Sequence, residues 1–248
     1  MHKFFVNSND IKGEKVHIFE DAGHISRVLR LGVGDEIIVF DGLGNEYVCE
    51  LESVGKAECV AVISAVRECT SEARLRVALF QGIPKSGKME VIIQKCTELG
   101  VAEIYPFFSK RSVVKLDSER DKLAKVERWQ KVALEAAKQC GRGVTPIIHS
   151  PIEFGEVVEI AKNFNAAIMP YEVLGSSGKK DLRDVLSNNM NCENLGIIIG
   201  SEGGFDESEA ELAKLNGINL VGLGERILRT ETAGPAVLAV VMYEFDEI

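Results

Sequence analysis

Along residues 1–72 the apolar positions come in short β-branched runs, at Lys15–Phe19, Glu36–Asp41, Glu46–Val54 and Cys59–Val66. Turn-forming residues separate them, at Gly32–Asp35, Gly42–Asn45 and Gly55–Lys56. Runs of this length with such punctuation predict strands, and their spacing predicts a small barrel or sandwich. Only Gly23–Arg30 reads as a helix within this region. The polar stretch Glu68–Arg74 reads as a linker.

From Leu75 the rhythm changes to alternating strand and helix. LRVALF predicts a strand, followed by a helix over about Ser86–Leu99 with Ile92, Ile93, Cys96 and Leu99 on one face and Gly100 as its stop. VAEIYPF returns as a strand, and Glu119–Cys140 is a long amphipathic helix ending at Gly141. Further strands are expected at TPIIHS, NAAIMPYE, LGIIIG and INLVGLG, with helices near Phe154–Asn163, Lys180–Ser187 and Asp206–Asn216. Asp206 and Glu209 have the spacing of a capping box. A closing helix is expected over about Glu231–Phe245, with Pro235 in its first turn. Such alternation predicts a mostly parallel sheet with helices on both faces.

Composition narrows the class. The chain has 248 residues, 46% of them hydrophobic and 27% charged, which suits one large globular domain or two small ones. The N-terminal MHKFFVNSND lacks a signal-peptide core, and no apolar run nears the roughly 20 residues a bilayer span needs. A cytoplasmic protein without a membrane partner is expected. The six cysteines form no CxxC pair and no Cys/His cluster with zinc spacing, so reduced thiols and no metal are expected. The net charge of −9 hides a basic block: residues 80–145 carry 13 Lys and Arg against 8 Asp and Glu. That block fits either a polyanion footprint or ordinary solvated helix faces.

Two glycine-punctuated strings near the C-terminus carry the candidate chemistry: LGIIIGSEGGFDESE (Leu195–Glu209) and VGLGERILRTETAGPAV (Val221–Val237). Each runs from an apolar strand into a glycine-hinged loop. Open α/β sheets bind ligands beyond the carboxyl ends of their strands, so two such loops predict a small-molecule site. A dinucleotide fingerprint and a P-loop are both absent from the first string, which weakens a dehydrogenase reading. In the second, Arg229, Thr230, Glu231 and Thr232 fall between a strand end and a helix start. They can cap that helix and face a ligand at the same time. GxSxG and HExxH are absent, which argues against serine- and zinc-hydrolase readings.

Five segments together resemble the ribosomal small-subunit methyltransferase E family, within the SPOUT class of S-adenosylmethionine-dependent RNA methyltransferases. They are HISRVLR (24–30), KMEVIIQKCTELGVAEIYPF (88–107), RWQKVALEAAKQCGR (128–142), IIIGSEGGF (197–205) and LGERILRTETA (223–233), spread over nearly the whole chain. Ser201 departs from the pattern, since the family usually has proline there, and QCGRG is a looser match.

The resemblance implies an α/β domain over 73–248 with a SPOUT-type parallel sheet and a C-terminal trefoil knot, among the rarest of topologies. A PUA-like β-barrel over 1–72 would precede it and bind RNA. It implies S-adenosyl-L-methionine as cofactor, held by Met169, Pro170 and Glu172, by Ile199, Gly200, Glu202 and Gly203, and by Leu223, Gly224, Ile227, Leu228, Arg229 and Thr230. The partners would be 16S ribosomal RNA or the small ribosomal subunit, and a second copy of the chain in a homodimer. The reaction would be methylation of uridine N3. The cofactor is cationic, which acidic loops suit. RNA contacts are expected from Lys85, Lys88, Lys110, Arg111 and Arg142, with Arg27 and Arg30 adding contacts from the first domain. N3 of uracil carries a proton, so Arg229 is expected to stabilise the developing anion, and either Glu231 or Glu202 to act as base. Other outcomes are a transfer-RNA or ribose 2′-O methyltransferase of the same class, or an RNA-binding protein without activity.

Overall fold

In the computed structural model, which describes residues 1–114, 116, 118–171 and 180–248, the chain divides into two compact units. One comprises residues 1–72 with 137–145, the other residues 73–136 with 146–248.

The first unit is built on a six-stranded sheet. β1 (His2–Phe5), β2 (Ile11–Lys12), β3 (Lys15–Ile18), β4 (Glu36–Phe40), β5 (Asn45–Val54) and β6 (Cys59–Glu68) lie in the order β1-β4-β5-β6-β3-β2. All neighbours are antiparallel except β1 and β4. Among the described residues no pairing joins β1 to β2, so the sheet is open at that seam. Phe4, Val16, Ile18, Ile37, Val39 and Leu51 form its core. The helix expected at 23–30 is a single wide π-helical segment, His24–Leu29, which buries Ile25 in that core. It stops at Arg30, whose φ of 55° is left-handed and whose amide bonds back to the Ile25 carbonyl. Arg27 and Arg30 are left exposed.

The second unit is an α/β layer structure. Its strands are β7 (Arg76–Gly82), β8 (Glu103–Phe108), β9 (Ile147–Ile148), β10 (Ile152–Glu153), β11 (Ala166–Pro170), β12 (Lys180–Asp181), β13 (Asn194–Ile199) and β14 (Asn219–Gly222). All pair parallel, in the order β10-β8-β7-β13-β11-β14-β12, with β9 also on β8. The helices are α1 (Lys88–Glu98), α2 (Glu119–Cys140), α3 (Phe154–Ala161), α4 (Leu182–Ser187), α5 (Glu207–Leu215) and α6 (Thr230–Glu244).

The alternation of side chains along the central strands explains why both faces need helices. On β7, Val77 and Leu79 join one core with Ile92, Ile93 and Cys96 of α1 and Val237, Leu238 and Val241 of α6. Ala78 and Phe80 point the other way, into a second core with Val157 and Val158 of α3 and Ala210 and Ala213 of α5. Each buried aliphatic side chain of this kind contributes about 1.5–3 kcal/mol. The glycine at 196 on β13 leaves room for the Phe80 ring, since a Cβ there would stand 3.3 Å from it.

Pro235 lies deeper in the closing helix than expected. Because α6 starts at Thr230, Pro235 falls beyond the first turn, where its missing N–H leaves the Glu231 carbonyl without the usual helical donor. The capping box of α5 forms as expected: Asp206 accepts from the Ser208 amide, and Glu209 accepts from the Asp206 amide at 2.8 Å.

Candidate active site

The order of the sheet reverses at β7. The chain leaves β7 through α1 to β8 on one side, while β13 occupies the other. Loops leaving the carboxyl ends of strands flanking such a point diverge and open a crevice between them.

Close backbone approach fixes the floor of that crevice. Gly82 ends β7 so near the start of the 200–206 loop that a Cβ on it would lie 2.5 Å from the Ser201 nitrogen and 2.9 Å from the Gly200 carbonyl carbon. Gly200 packs on Gly204 and Phe205 in turn, and the Gly204 amide closes a turn onto the Ser201 carbonyl at 2.9 Å. Gly203 abuts Arg111, whose Cβ and carbonyl oxygen would each stand 2.9 Å from an added Cβ.

The buried amide of Gln81 ties these pieces to the last helix. Its Nε2 donates to the Gly82 carbonyl at 2.9 Å and to Thr230 Oγ1 at 2.9 Å, and the Thr230 hydroxyl donates to the Gly200 carbonyl at 2.7 Å. The two glycine loops are therefore one hydrogen-bonded unit, with the first residue of α6 at its centre. Gln81 was not singled out by the sequence, where it looks like one polar residue in an apolar strand. A polar side chain near the end of a strand buried on both faces was the available signal.

A cavity of about 400 Å³ opens above this floor. Pro170, Ile199, Gly200, Glu202, Gly203, Leu223, Gly224, Ile227, Leu228, Arg229, Thr230 and Glu231 of the expected site all line it. Tyr171, Ser201, Phe205, Arg226 and Ala233 line it as well. Met169 does not: it is fully buried in the core on the α3 and α5 face. Glu172 lies outside the described residues.

Lys88 and Arg111, expected to meet RNA, also line the cavity. Lys88 Nζ is 3.0 Å from Glu202 Oε1 and 3.4 Å from Glu231 Oε2. Glu202 also accepts the Lys85 amide, at 3.1 Å and 3.3 Å to its two oxygens. Burial pushes the Glu202 carboxyl up, but its own amide, the Lys88 ammonium and the Lys85 amide outweigh this and hold it below the usual carboxylate range. The same bond to Glu202 raises Lys88. Arg111 Nη2 is 3.6 Å from Asp206 Oδ2. Arg229 is exposed at the N-cap of α6, and its guanidinium makes no hydrogen bond or ion pair among the described residues.

The other expected RNA contacts are dispersed. Lys85 is exposed beside Glu202, while Lys110 donates from Nζ to Ser208 at 2.6 Å and from its amide to the buried Glu209 at 2.8 Å. Arg142 is not a surface cation. Its residue is 5% exposed, and its guanidinium grips Glu72 through Nη2 at 2.7 Å and Nε at 3.2 Å. The charge count that suggested it could not distinguish a solvated arginine from one that locks two chain segments together.

Residues 71–242 match the model of an RNA methyltransferase domain, and residues 20–64 that of an RNA methyltransferase PUA domain. The ribosomal RNA small subunit methyltransferase E of Bacillus subtilis is 37% identical over 238 residues, covering 95% of this chain and 90% of the relative. The protein of the same name from Mesomycoplasma hyopneumoniae is 35% identical over 94% of this chain and 95% of its own. A crystal structure of a small subunit methyltransferase E from Neisseria gonorrhoeae, bound to S-adenosyl methionine, superposes with a TM-score of 0.82 at 28% identity, covering 98% of this chain and 97% of that one. The chain belongs to the RNA methyltransferase family that contains the ribosomal RNA small subunit methyltransferase E proteins.

Proposed function

We propose that this chain transfers the methyl group of S-adenosyl-L-methionine to N3 of a uridine in the 16S RNA of the small ribosomal subunit. The observation that carries the reading is the meeting of Glu202, Glu231 and the exposed Arg229 around one glycine-floored cavity. Its volume of about 400 Å³ falls in the range of small-molecule sites. Ile199, Leu223 and Leu228 supply apolar walls suited to a purine ring, and the carboxylates suit a ligand with positive charge on sulfur and amine. When bound, the cofactor supplies an electrophilic methyl on that sulfur.

The work left to the protein is to hold the target base in line with the methyl and to manage the N3 proton. Arg229, which pairs with no carboxylate among the described residues, suits stabilisation of the negative charge that develops on the uracil oxygens. A carboxylate beside it suits the proton, and Glu231 and Glu202 both line the cavity.

Lys85, Lys110 and Arg111 would meet RNA phosphate, with Arg27 and Arg30 from the first unit. Arg142 is left out because it is committed to Glu72. A homodimer is part of the proposal, supported by the exposed apolar side chains of Val240 and Tyr243 on helix α6. So is a trefoil knot, formed by the return of the chain from β14, beyond β11, to α6 packed on β7 and β13.

The test is calorimetry with S-adenosylhomocysteine, followed by turnover on unmethylated small subunits. Wild type is expected to bind and turn over, and Arg229→Ala to lose at least about 100-fold in kcat at saturating cofactor and RNA. Undiminished turnover of that variant contradicts the role given to Arg229.

A further inference from the structure

Two carboxylates and one ammonium share a corner of the cavity, and they are not equivalent. Lys88 is the first residue of α1, delivered there by a tight turn in which Ser86 (φ 50°) and Gly87 (φ 63°) are both left-handed. Its Nζ donates to Glu202 at 3.0 Å, and both oxygens of Glu202 also take the Lys85 amide. Glu231 stands differently. Its Oε2 is 3.4 Å from Lys88 Nζ, a longer and weaker contact than the 3.0 Å to Glu202. Glu202 is thus held by two donors, the Lys85 amide and the Lys88 ammonium, whereas Glu231 meets the same ammonium at longer range.

We infer that Lys88 sorts the two carboxylates, fixing Glu202 as a permanent anion and leaving Glu231 as the group that takes the proton from N3 of the target uridine. The inference rests on the uridine-N3 reading above and makes Lys88 a positioning residue rather than an RNA contact. An anion held by several donors is a weak proton acceptor, because each donor stabilises its charged form. Glu202, held below the usual carboxylate range, fits that role. In the step itself the N3 proton goes to Glu231 and then to solvent. The electron pair left on N3 forms the new bond to carbon, and the pair of the broken carbon–sulfur bond stays on sulfur. The charged groups that share the cavity with Glu231 are Lys88 from α1, Glu202 from the 200–206 loop, Arg226 and Arg229 from the 223–229 loop, and Arg111 from the segment after β8. Of these, Lys88 is the cation in ion-pair contact with Glu231 among the described residues.

The two roles open to Lys88 separate in experiment. Wild type, Lys88→Met, Lys88→Arg, Glu202→Gln and Glu231→Gln are compared in kcat against pH on unmethylated small subunits, and in RNA affinity against salt. The expected result is that Lys88→Met lowers kcat by about tenfold across the pH range with KM for the subunit unchanged, because Glu202 loses the ammonium that holds it as an anion. Lys88→Arg restores kcat. RNA affinity and its salt slope stay at the wild-type values. Glu231→Gln loses about 100-fold or more in kcat, the scale of a lost general base, and Glu202→Gln less than tenfold. An unchanged kcat in Lys88→Met, a salt slope reduced by about one, or equal losses from both glutamines overturns the inference. Should Lys88→Met fail to fold, the two glutamine variants decide it. Wild type that binds RNA but leaves uridine N3 unmethylated removes the underlying reading, and this inference with it.

Discussion

Gln81 Nε2 lies 2.9 Å from Thr230 Oγ1, which joins the end of the central strand to the first turn of the last helix. Thr230 passes the link on to the Gly200 carbonyl, so one buried hydroxyl serves as acceptor and donor at once. Removing that hydroxyl while keeping the side-chain shape, as in Thr230→Val, leaves the Gln81 amide and the Gly200 carbonyl to a long mutual contact of 3.5 Å. The expected loss is about 1–3 kcal/mol, read by urea denaturation, together with weaker binding of S-adenosylhomocysteine. Unchanged stability and unchanged affinity would show that the two loops are held by something else.

Gly82 tests the same junction through packing. Ala at this position would drive a methyl against backbone of Gly200 and Ser201, and backbone cannot rotate aside as a side chain does. Overpacking of this kind costs typically 1–3 kcal/mol. The 200–206 loop is expected to shift and cofactor affinity to drop at least about tenfold by calorimetry. A Gly82→Ala protein with wild-type affinity would refute the rigid floor.

The Arg142–Glu72 pair belongs to the first unit and predicts a stability effect without an RNA effect. Glu72 accepts from Arg142 and also from the amides of Gly143 (2.9 Å) and Val144 (3.1 Å), so it organises the segment after α2. Truncating Arg142 leaves the part-buried Glu72 to its two amide donors, at about 1.5–3 kcal/mol for the lost charged hydrogen bonds. Arg142→Ala should lower the melting temperature markedly while leaving the salt dependence of RNA binding as in wild type. A reduced salt slope with an unchanged melting temperature would return Arg142 to the RNA surface.

Glu103 supplies a pH dependence. His149 Nε2 stands 2.9 Å from its Oε2, the Tyr105 hydroxyl donates to the same oxygen, and Arg76 holds Oε1 at 2.9 Å. The bond to His149 is the largest influence. With Tyr105 and Arg76 it overcomes burial and brings the carboxyl from 4.5 down to about 2. A carboxyl depressed on folding stabilises the fold above its unfolded value and loses that contribution as pH falls through the folded value. The window runs from about pH 4.5 down to about pH 2, and the contribution is on the order of 3 kcal/mol. Denaturant midpoints across that window should fall more steeply for wild type than for Glu103→Gln. Parallel curves would contradict the assignment.

Much of the second unit was legible because its signals are local. The 22-residue helix Glu119–Cys140 appears with the bounds its amphipathic repeat and Gly141 announce, and the Asp206–Glu209 box caps α5 as spaced. What escaped was non-local. β1 is a four-residue strand that pairs parallel with β4, more than thirty positions away, and HKFF carries no periodicity that could reveal it. The wide turn at His24–Leu29 reads as ordinary helix until Ile25 is seen to need burial in the sheet core. At the site, glycines and charges flagged the two loops, because chemistry and close approach leave composition behind. Gln81 was invisible, since its role depends on a threonine 149 positions later. Charge totals likewise named Arg142 and Lys88 as surface cations, whereas their partners Glu72, Glu202 and Glu231 become apparent only when the chain is folded.

The most direct measurement is nucleoside mass spectrometry, with site mapping, of small subunits and transfer RNA incubated with this protein and labelled S-adenosylmethionine. The account predicts 3-methyluridine at a single position of the small-subunit RNA, and its loss with Arg229→Ala. Label on a ribose 2′-oxygen, on transfer RNA, or on no RNA at all would contradict it.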